Sequence, residues 1–296
     1  MSDEVIVARK VADGLIFGEG IRWYNDSIVL SDMVAKRVVR VGPHDGSIET
    51  LLEVPNQPNG LAVTDDGDLL ILSMFDCKIL RRKPDGSVSI YADLSSIATG
   101  YLGDVVLDAA GVLYVDDVGS RVLHGEPLAA NGRVIRVTPE GKVDTLLSGL
   151  AFPNGIVISA DGKRLYLSQT LSSPASIYAY QIGEDGSLSD EKLFVTPPAP
   201  TDGMGVDDAD GVWACVAFGD SGVCRYDRSG TLTHRVSIDG YEPISCSIGG
   251  PDGRTMAITA IKALHGKNIF EEMRNKRVEA CIFVAEVPFE NRTARP

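Results

Sequence analysis

Phe17-Gly18-Glu19-Gly20-Ile21-Arg22-Trp23 sets one carboxylate between two glycines, directly before an apolar strand. Glycines there let the backbone turn sharply and come close to a neighbour. Alone, the stretch reads as an ordinary turn. Recurrence gives it weight. Asn59-Gly60-Leu61-Ala62-Val63, Gly103-Asp104-Val105-Val106-Leu107, Asn154-Gly155-Ile156-Val157-Ile158, Asp202-Gly203-Met204-Gly205-Val206 and Ser245-Cys246-Ser247-Ile248-Gly249 repeat the layout. Each leads to a turn (Asp66-Gly67, Asp161-Gly162 and Asp252-Gly253 among them) and then to a second apolar strand. Asp-Gly pairs supply the positive φ that tight hairpins need.

Short strands at this spacing, with scarce helical periodicity, indicate an all-β repeat protein. Six units of roughly 40–50 residues, with about four strands each, predict a six-bladed β-propeller with a central channel, one domain over residues 1–296. The sixth unit has two clear strands, Thr255–Thr259 and Ala280–Val287, before the chain nearly ends. The N-terminal run Val5-Ile6-Val7-Ala8 is therefore expected to supply the outer strand of the last blade, which would remove exposed sheet edges.

Composition bounds the function. The 296 residues are 44% hydrophobic and 23% charged, enough for a sizeable core. The formal charge of -13 argues against nucleic acid and anionic membranes as partners. A small-molecule partner is expected instead. Cys77, Cys215, Cys224, Cys246 and Cys281 form no Cys-x-x-Cys pair and read as reduced, buried thiols of a cytoplasmic protein. The first ten residues lack signal-peptide shape, and no apolar run reaches membrane length.

In a propeller the innermost strand of each blade lines the channel. If all six begin at one face, Glu19, Asn59, Asp104, Asn154, Asp202 and Ser245 ring one mouth. The loops after the second strands return to that face: Met74–Lys78, Asp116–Gly132, Thr170–Ser176, Phe218–Gly222 and Lys262–Arg277. Two are long and predict a rim or lid, a usual place for binding. Ile269, Phe270 and Met273 recur at helical spacing and suggest a short lid helix.

Glu19, Asn154 and Asp202 offer oxygen and neither sulfur nor imidazole, which suits a hard divalent cation. Two carboxylates facing each other in a low dielectric repel unless a cation or proton sits between them. The plainer alternative makes these residues strand-opening turn residues, and for Asn59 that reading is preferred. Tyr101, Phe75, Phe152 and Phe218 fall at or beside the mouth and together suggest an aromatic-lined pocket. His124 and His265 lie in the two long loops, where a surface role is the plainer reading. Gly219-Asp220-Ser221-Gly222 looks like a serine-protease nucleophile segment but has no matching histidine segment or disulfides.

Phe17–Trp23, Phe152-Pro153-Asn154-Gly155-Ile156, Thr201-Asp202-Gly203-Met204-Gly205-Val206-Asp207 and Ser245-Cys246-Ser247-Ile248-Gly249-Gly250-Pro251-Asp252 resemble the senescence marker protein 30/gluconolactonase/luciferin-regenerating-enzyme family, in register over nearly the whole chain. The resemblance implies a six-bladed propeller with one divalent metal in its channel and, in many members, lactone hydrolysis. It implies Glu19, Asn154 and Asp202 as metal ligands, with Asp202 also the acid/base residue. Calcium is the first expectation for the ion, with Mg²⁺, Mn²⁺ or Zn²⁺ as alternatives. One departure stands out. The family's third blade usually reads Arg-Pro-Asn-Asp, with the Arg reaching substrate and the Asn facing the metal. Here it reads Tyr101-Leu102-Gly103-Asp104. Gly103 offers no side chain, and Tyr101 takes the Arg position. The expected reaction is metal-dependent opening of a lactone, and the departure points away from a simple sugar-acid lactone. Asn59, Tyr101, Phe75, Phe152 and Phe218 are the expected substrate contacts. The alternatives are another hydrolytic or lyase reaction at the same site, or a non-catalytic binding platform.

Overall fold

In the computed structural model, which describes residues 4–292, the strands gather into six sheets. Blade one runs Gly18–Tyr24, Ser27–Asp32, Arg37–Val41 and Ile48–Glu53 from the channel outward. Blades two to six begin on Pro58–Val63, Leu102–Leu107, Pro153–Ile158, Thr201–Val206 and Tyr241–Gly249. These inner strands pack against one another in chain order, and the sixth closes on the first. The result is the six-bladed propeller that the repeat predicts. Among the described residues no helix is long and apolar enough to cross a membrane.

The core lies between blades rather than in the channel. Leu70 and Leu72 of blade two, for example, pack with Val105, Leu113 and Val115 of blade three, all at most 1% exposed. Strands buried on both faces need continuous apolar runs, and Leu113-Tyr114-Val115 and Leu69-Leu70-Ile71-Leu72 supply them. All five cysteines are buried and none forms a disulfide, as their apolar settings suggested.

Closure requires a correction. The strand completing blade six is Arg9–Leu15, antiparallel to Ala280–Glu286. The run expected there, Val5–Ala8, instead adds a fifth strand to blade five. Glu4–Val7 pairs in parallel with the Leu232–Ser237 strand, and the Ala8 amide donates to the Ser237 carbonyl at 3.2 Å. The reason is local. An outermost strand needs little apolar content, and Arg9–Leu15 fully buries only Ala12 and Leu15. Its polarity masks it in the sequence. Val5 and Val7 look strand-like yet are 60% and 78% exposed.

One irregularity recurs in every blade. The pairing of first and second strands slips between Glu19 and Arg22, Pro58 and Leu61, Leu102 and Val105, Pro153 and Ile156, Thr201 and Met204, and Pro243 and Ser245. A bulge bends a strand and re-aims a side chain. Here it sits at the channel mouth each time. Gly20 and Gly155 serve it with φ of 55° and 80°. A Cβ on Gly20 would stand 2.8 Å from the Asn59 carbonyl oxygen, and one on Gly155 would strike the Asp202 carbonyl. Side chains larger than hydrogen would push neighbouring inner strands apart at the mouth.

Candidate metal and substrate site

A cavity of about 190 Å³ opens at this mouth. Glu19, Asn59, Gly103, Asn154 and Asp202, one from each of blades one to five, lie on its wall. The bulge explains this shared position. Asp104 and Ser245 do not line the cavity, which corrects their place in the expected ring. In blade three the ring position is Gly103. Asp104 turns instead to Arg22, itself 2% exposed, whose guanidinium donates to Asp104 Oδ1 and to the Val105 carbonyl, each at 3.0 Å. Ser245 is 1% exposed.

Asn154 Nδ2 donates to Asp202 Oδ1 at 2.5 Å. Asn59 is tied to blade three, donating from Nδ2 to the Leu102 carbonyl at 3.0 Å, while its own carbonyl accepts from Ser31 Oγ at 2.6 Å. These bonds agree with its plainer reading as a structural strand-opening residue.

The electrostatics are unbalanced. Burial, and then the Asp202 and Asp104 charges, push Glu19 well above the usual carboxylate range. Burial pushes Asp202 up to about 7, against the opposing hydrogen bond from Asn154. Asp116, on the second strand of blade three, is fully buried. Burial and the Asp104 charge push it well above range, and the nearby Asp104 amide offsets this only in part. Glu19, Asp202 and Asp116 thus stand near Asp104, whose own partner is Arg22. Buried like charges demand protons or a cation. The donors present, carboxylate and carboxamide oxygens, fit a hard divalent ion. Among the described residues no three His, Cys, Asp or Glu side chains already stand at ligating spacing. An ion would therefore draw in Glu19 and Asp202, with Asn154 and solvent completing its shell.

Around this polar floor the walls are apolar. Phe17, Met33, Met74, Leu123, Phe152 and Phe270 line the cavity, and Phe218 stands at its rim, 44% exposed. Tyr101 also lines it but is 1% exposed, with its hydroxyl hydrogen-bonded to His124 Nδ1. Burial raises that phenol to about 12, so it remains neutral. Phe75, expected on the wall, sits behind it, with ring centroids 5.0 Å from Tyr101 and 4.8 Å from His124. His124 is exposed, as its plainer reading expected, and edges these two rings from the surface.

The lid helix forms over Ile269–Arg274, capped by Asn268, whose side chain accepts from the Glu271 amide at 3.1 Å. Its apolar residues Ile269, Phe270 and Met273 face the cavity. Phe270 meets Phe152 at 6.2 Å between centroids. Arg274 ties the helix to the long blade-three loop by donating to the Val122 carbonyl at 3.0 Å. Sequence reasoning missed Arg22, Met33, Met74, Leu123 and Asp116. The apolar ones carry no local mark of a site. Asp116 carried a signal, a charge inside an apolar second strand.

Comparison with known proteins gives a consistent picture. The family model for the SMP-30/gluconolactonase/LRE-like region matches residues 17–262. The chain is 30% identical over 259 residues to a pentonolactonase of Haloferax volcanii, covering 86% of this chain and 84% of that protein. It is 26% identical over 249 residues to an L-arabinolactonase of Azospirillum brasilense, covering 82% and 80%. Among solved structures, a calcium-binding protein, regucalcin, from Agrobacterium tumefaciens superposes with a TM-score of 0.81 over 99% of this chain and 98% of that one, at 19% identity. A gluconolactonase from Xanthomonas campestris superposes with a TM-score of 0.76 over 95% and 90%, at 23% identity.

Proposed function

We propose that this chain, which belongs to the SMP-30/gluconolactonase/LRE-like family, is a divalent-metal-dependent lactonase for a lactone with an apolar or aromatic portion. The observation that carries the reading is the set of oxygen donors Glu19, Asn154 and Asp202 at the floor of a cavity whose walls are apolar. The curated relatives named above, lactonases covered over most of their length, support the reaction class. The calcium-binding character of the Agrobacterium regucalcin supports Ca²⁺ as the first ion to test. Five buried cysteines outside any disulfide suit a reducing compartment such as the cytoplasm.

Glu19, Asn154 and Asp202 would hold the ion. When bound, it supplies Lewis acidity toward the ester carbonyl and the attacking water. Asp202 Oδ accepts the proton that this water gives up as it attacks, and returns one to the alkoxide that leaves as the ring opens. Asn154 orients that carboxylate through its 2.5 Å hydrogen bond. Glu19 sits across the mouth, its Oε2 accepting from the Gly20 amide at 3.3 Å, and serves in ligation. Phe152, Phe270 and the lid helix exclude bulk water, which strengthens the charge interactions below them. Tyr101 offers an aromatic wall, since its hydroxyl is already engaged by His124.

Relatives are named for sugar lactones. This cavity places apolar side chains where a polyhydroxylated ring would need hydrogen-bonding partners, and unpaired hydroxyls are costly. With saturating Ca²⁺ or Mn²⁺ at pH 7, acid release from an aryl-fused lactone should exceed that from a polyhydroxylated aldonolactone by at least about tenfold in kcat/KM, since each 1.4 kcal/mol of discrimination is tenfold. The reverse preference would overturn the substrate assignment. Metal uptake with no turnover on either would leave a binding platform.

A further inference from the structure

Blade three is the one blade among the first five whose ring position, Gly103, has no side chain. It is also the one with a charge at a particular register of its second strand. The residues paired with Gly18, Pro58, Leu102, Pro153 and Thr201 are Asp32, Ser73, Asp117, Gln169 and Val216. One residue earlier on each second strand stand Ser31, Leu72, Asp116, Ser168 and Cys215. All five are fully buried, and only Asp116 is ionisable as a carboxylate.

The two oddities meet in space. A Cβ built on Gly103 would fall on Asp116 Oδ1, with Asp116 Cγ at 3.0 Å and Val118 Cγ1 at 3.3 Å. The Asp116 carboxylate occupies the volume through which a blade-three ring side chain would enter. Among the described residues neither of its oxygens meets a donor in hydrogen-bonding geometry. A fully buried carboxylate with no such donor is costly in a structural role. Other buried carboxylates here are supplied. Asp32 accepts from Arg37 and from the amides of Ile16 and Phe17, and Asp117 accepts from the amides of Thr99, Gly100 and Gly119.

We propose that Asp116 is the blade-three anionic group of the cation site, reaching it through the gap at Gly103 and taking the place of the missing ring side chain. The inference rests on the metal site argued above. It changes the charge of that site. Glu19 and Asp202 alone present two carboxylates, and Asp116 makes a third. A third carboxylate tightens binding of a hard cation, because affinity in all-oxygen sites follows ligand charge. It also explains the pairing of a lost side chain at residue 103 with a gained carboxylate at residue 116. The two positions form one unit.

Calorimetric titration of the full chain with Ca²⁺ alone and Mn²⁺ alone tests this without reference to turnover. Asp116→Asn keeps the shape of the side chain and removes its charge. It should weaken cation binding by about 10–100-fold while the metal-free protein melts no lower than wild type. Gly103→Asn alone should lower the melting temperature, because the new side chain meets Asp116. Gly103→Asn/Asp116→Ser, which restores a ring oxygen and uses the serine found at this register in blades one and four, should fold and bind more tightly than Asp116→Ser alone. Wild-type cation affinity in Asp116→Asn, or no gain from the added asparagine in the double variant, would overturn the role of Asp116 and leave the metal site standing. A wild-type protein that takes up neither cation would overturn both.

Discussion

The inner strand of blade five carries an aspartate at its start and another just beyond its end, and their fates differ. Asp207, in the turn after Val206, is fully buried. It accepts from the amides of Ala209 and Gly211 at 3.0 and 2.9 Å, from Trp213 Nε1 at 2.8 Å and from the Arg225 guanidinium at 2.6 and 3.1 Å. Arg225 in turn lies 3.5 Å over the Phe289 ring. Asp202, at the channel mouth, has one side-chain donor, Asn154, and faces other carboxyl groups. The same residue type is a fastener at one end of the strand and a sparsely supplied carboxyl at the other. Asp207 is fully buried and Asp202 partly so. The supply of donors separates them further, and a shortfall of donors beside like charges is where a cation belongs.

Substitutions at the two ends should therefore separate cleanly. Asp202→Asn should cut turnover by about 10²–10⁴-fold, the usual range for losing an acid/base group, while far-UV circular dichroism and the metal-free melting temperature hold. Wild-type turnover in this variant would break the assignment. Asp207→Ala should act oppositely. It strips the partner from buried Arg225 and should cost about 3–5 kcal/mol in urea unfolding, with turnover per folded molecule preserved.

Smaller effects sharpen the contrast. Calcium at 100 times its dissociation constant should stabilise the wild type by about 2.7 kcal/mol, and Asp202→Asn should lose most of that gain. The metal-free protein should weaken as pH rises. The Asp202 carboxyl titrates at about 7 in the folded chain and near 3.9 in an unfolded one. Its favourable contribution is complete below the lower value and is lost as pH climbs through the higher one. A decline of roughly 3 kcal/mol between pH 4 and 7 follows, and it should flatten in Asp202→Asn or with Ca²⁺ present. A metal-free curve that rises over this window would contradict the electrostatic picture. Least of all, Phe270→Ala should raise KM by roughly 3–10-fold with kcat little changed, the size expected for an aromatic contact worth about 0.5–1.5 kcal/mol.

Much of this was legible in the chain because a propeller repeats itself. Six recurring strand starts, five of them with a glycine at the opening, gave the blade count, and their shared position suggested one mouth for Glu19, Asn154 and Asp202. Ile269, Phe270 and Met273 announced the lid helix by their spacing. The misses share a cause. Arg9–Leu15 is an edge strand with few buried residues, so its pattern is too weak to outrank Val5–Ala8. Phe75 is near the mouth in sequence but stands behind Tyr101, and only packing determines which ring faces the cavity.

The division is sharpest in blade three. Sequence determined that Gly103 stands where the family's pattern carries a side chain, although the repeat by itself puts Asp104 in the ring. That Asp116 stands behind the gap depends on a β-bulge and on the pairing of two strands, which set side chains thirteen residues apart against each other. Repetition along a chain reveals equivalent positions within it. Contacts between neighbouring strands depend on register, and register is decided only when the sheet forms.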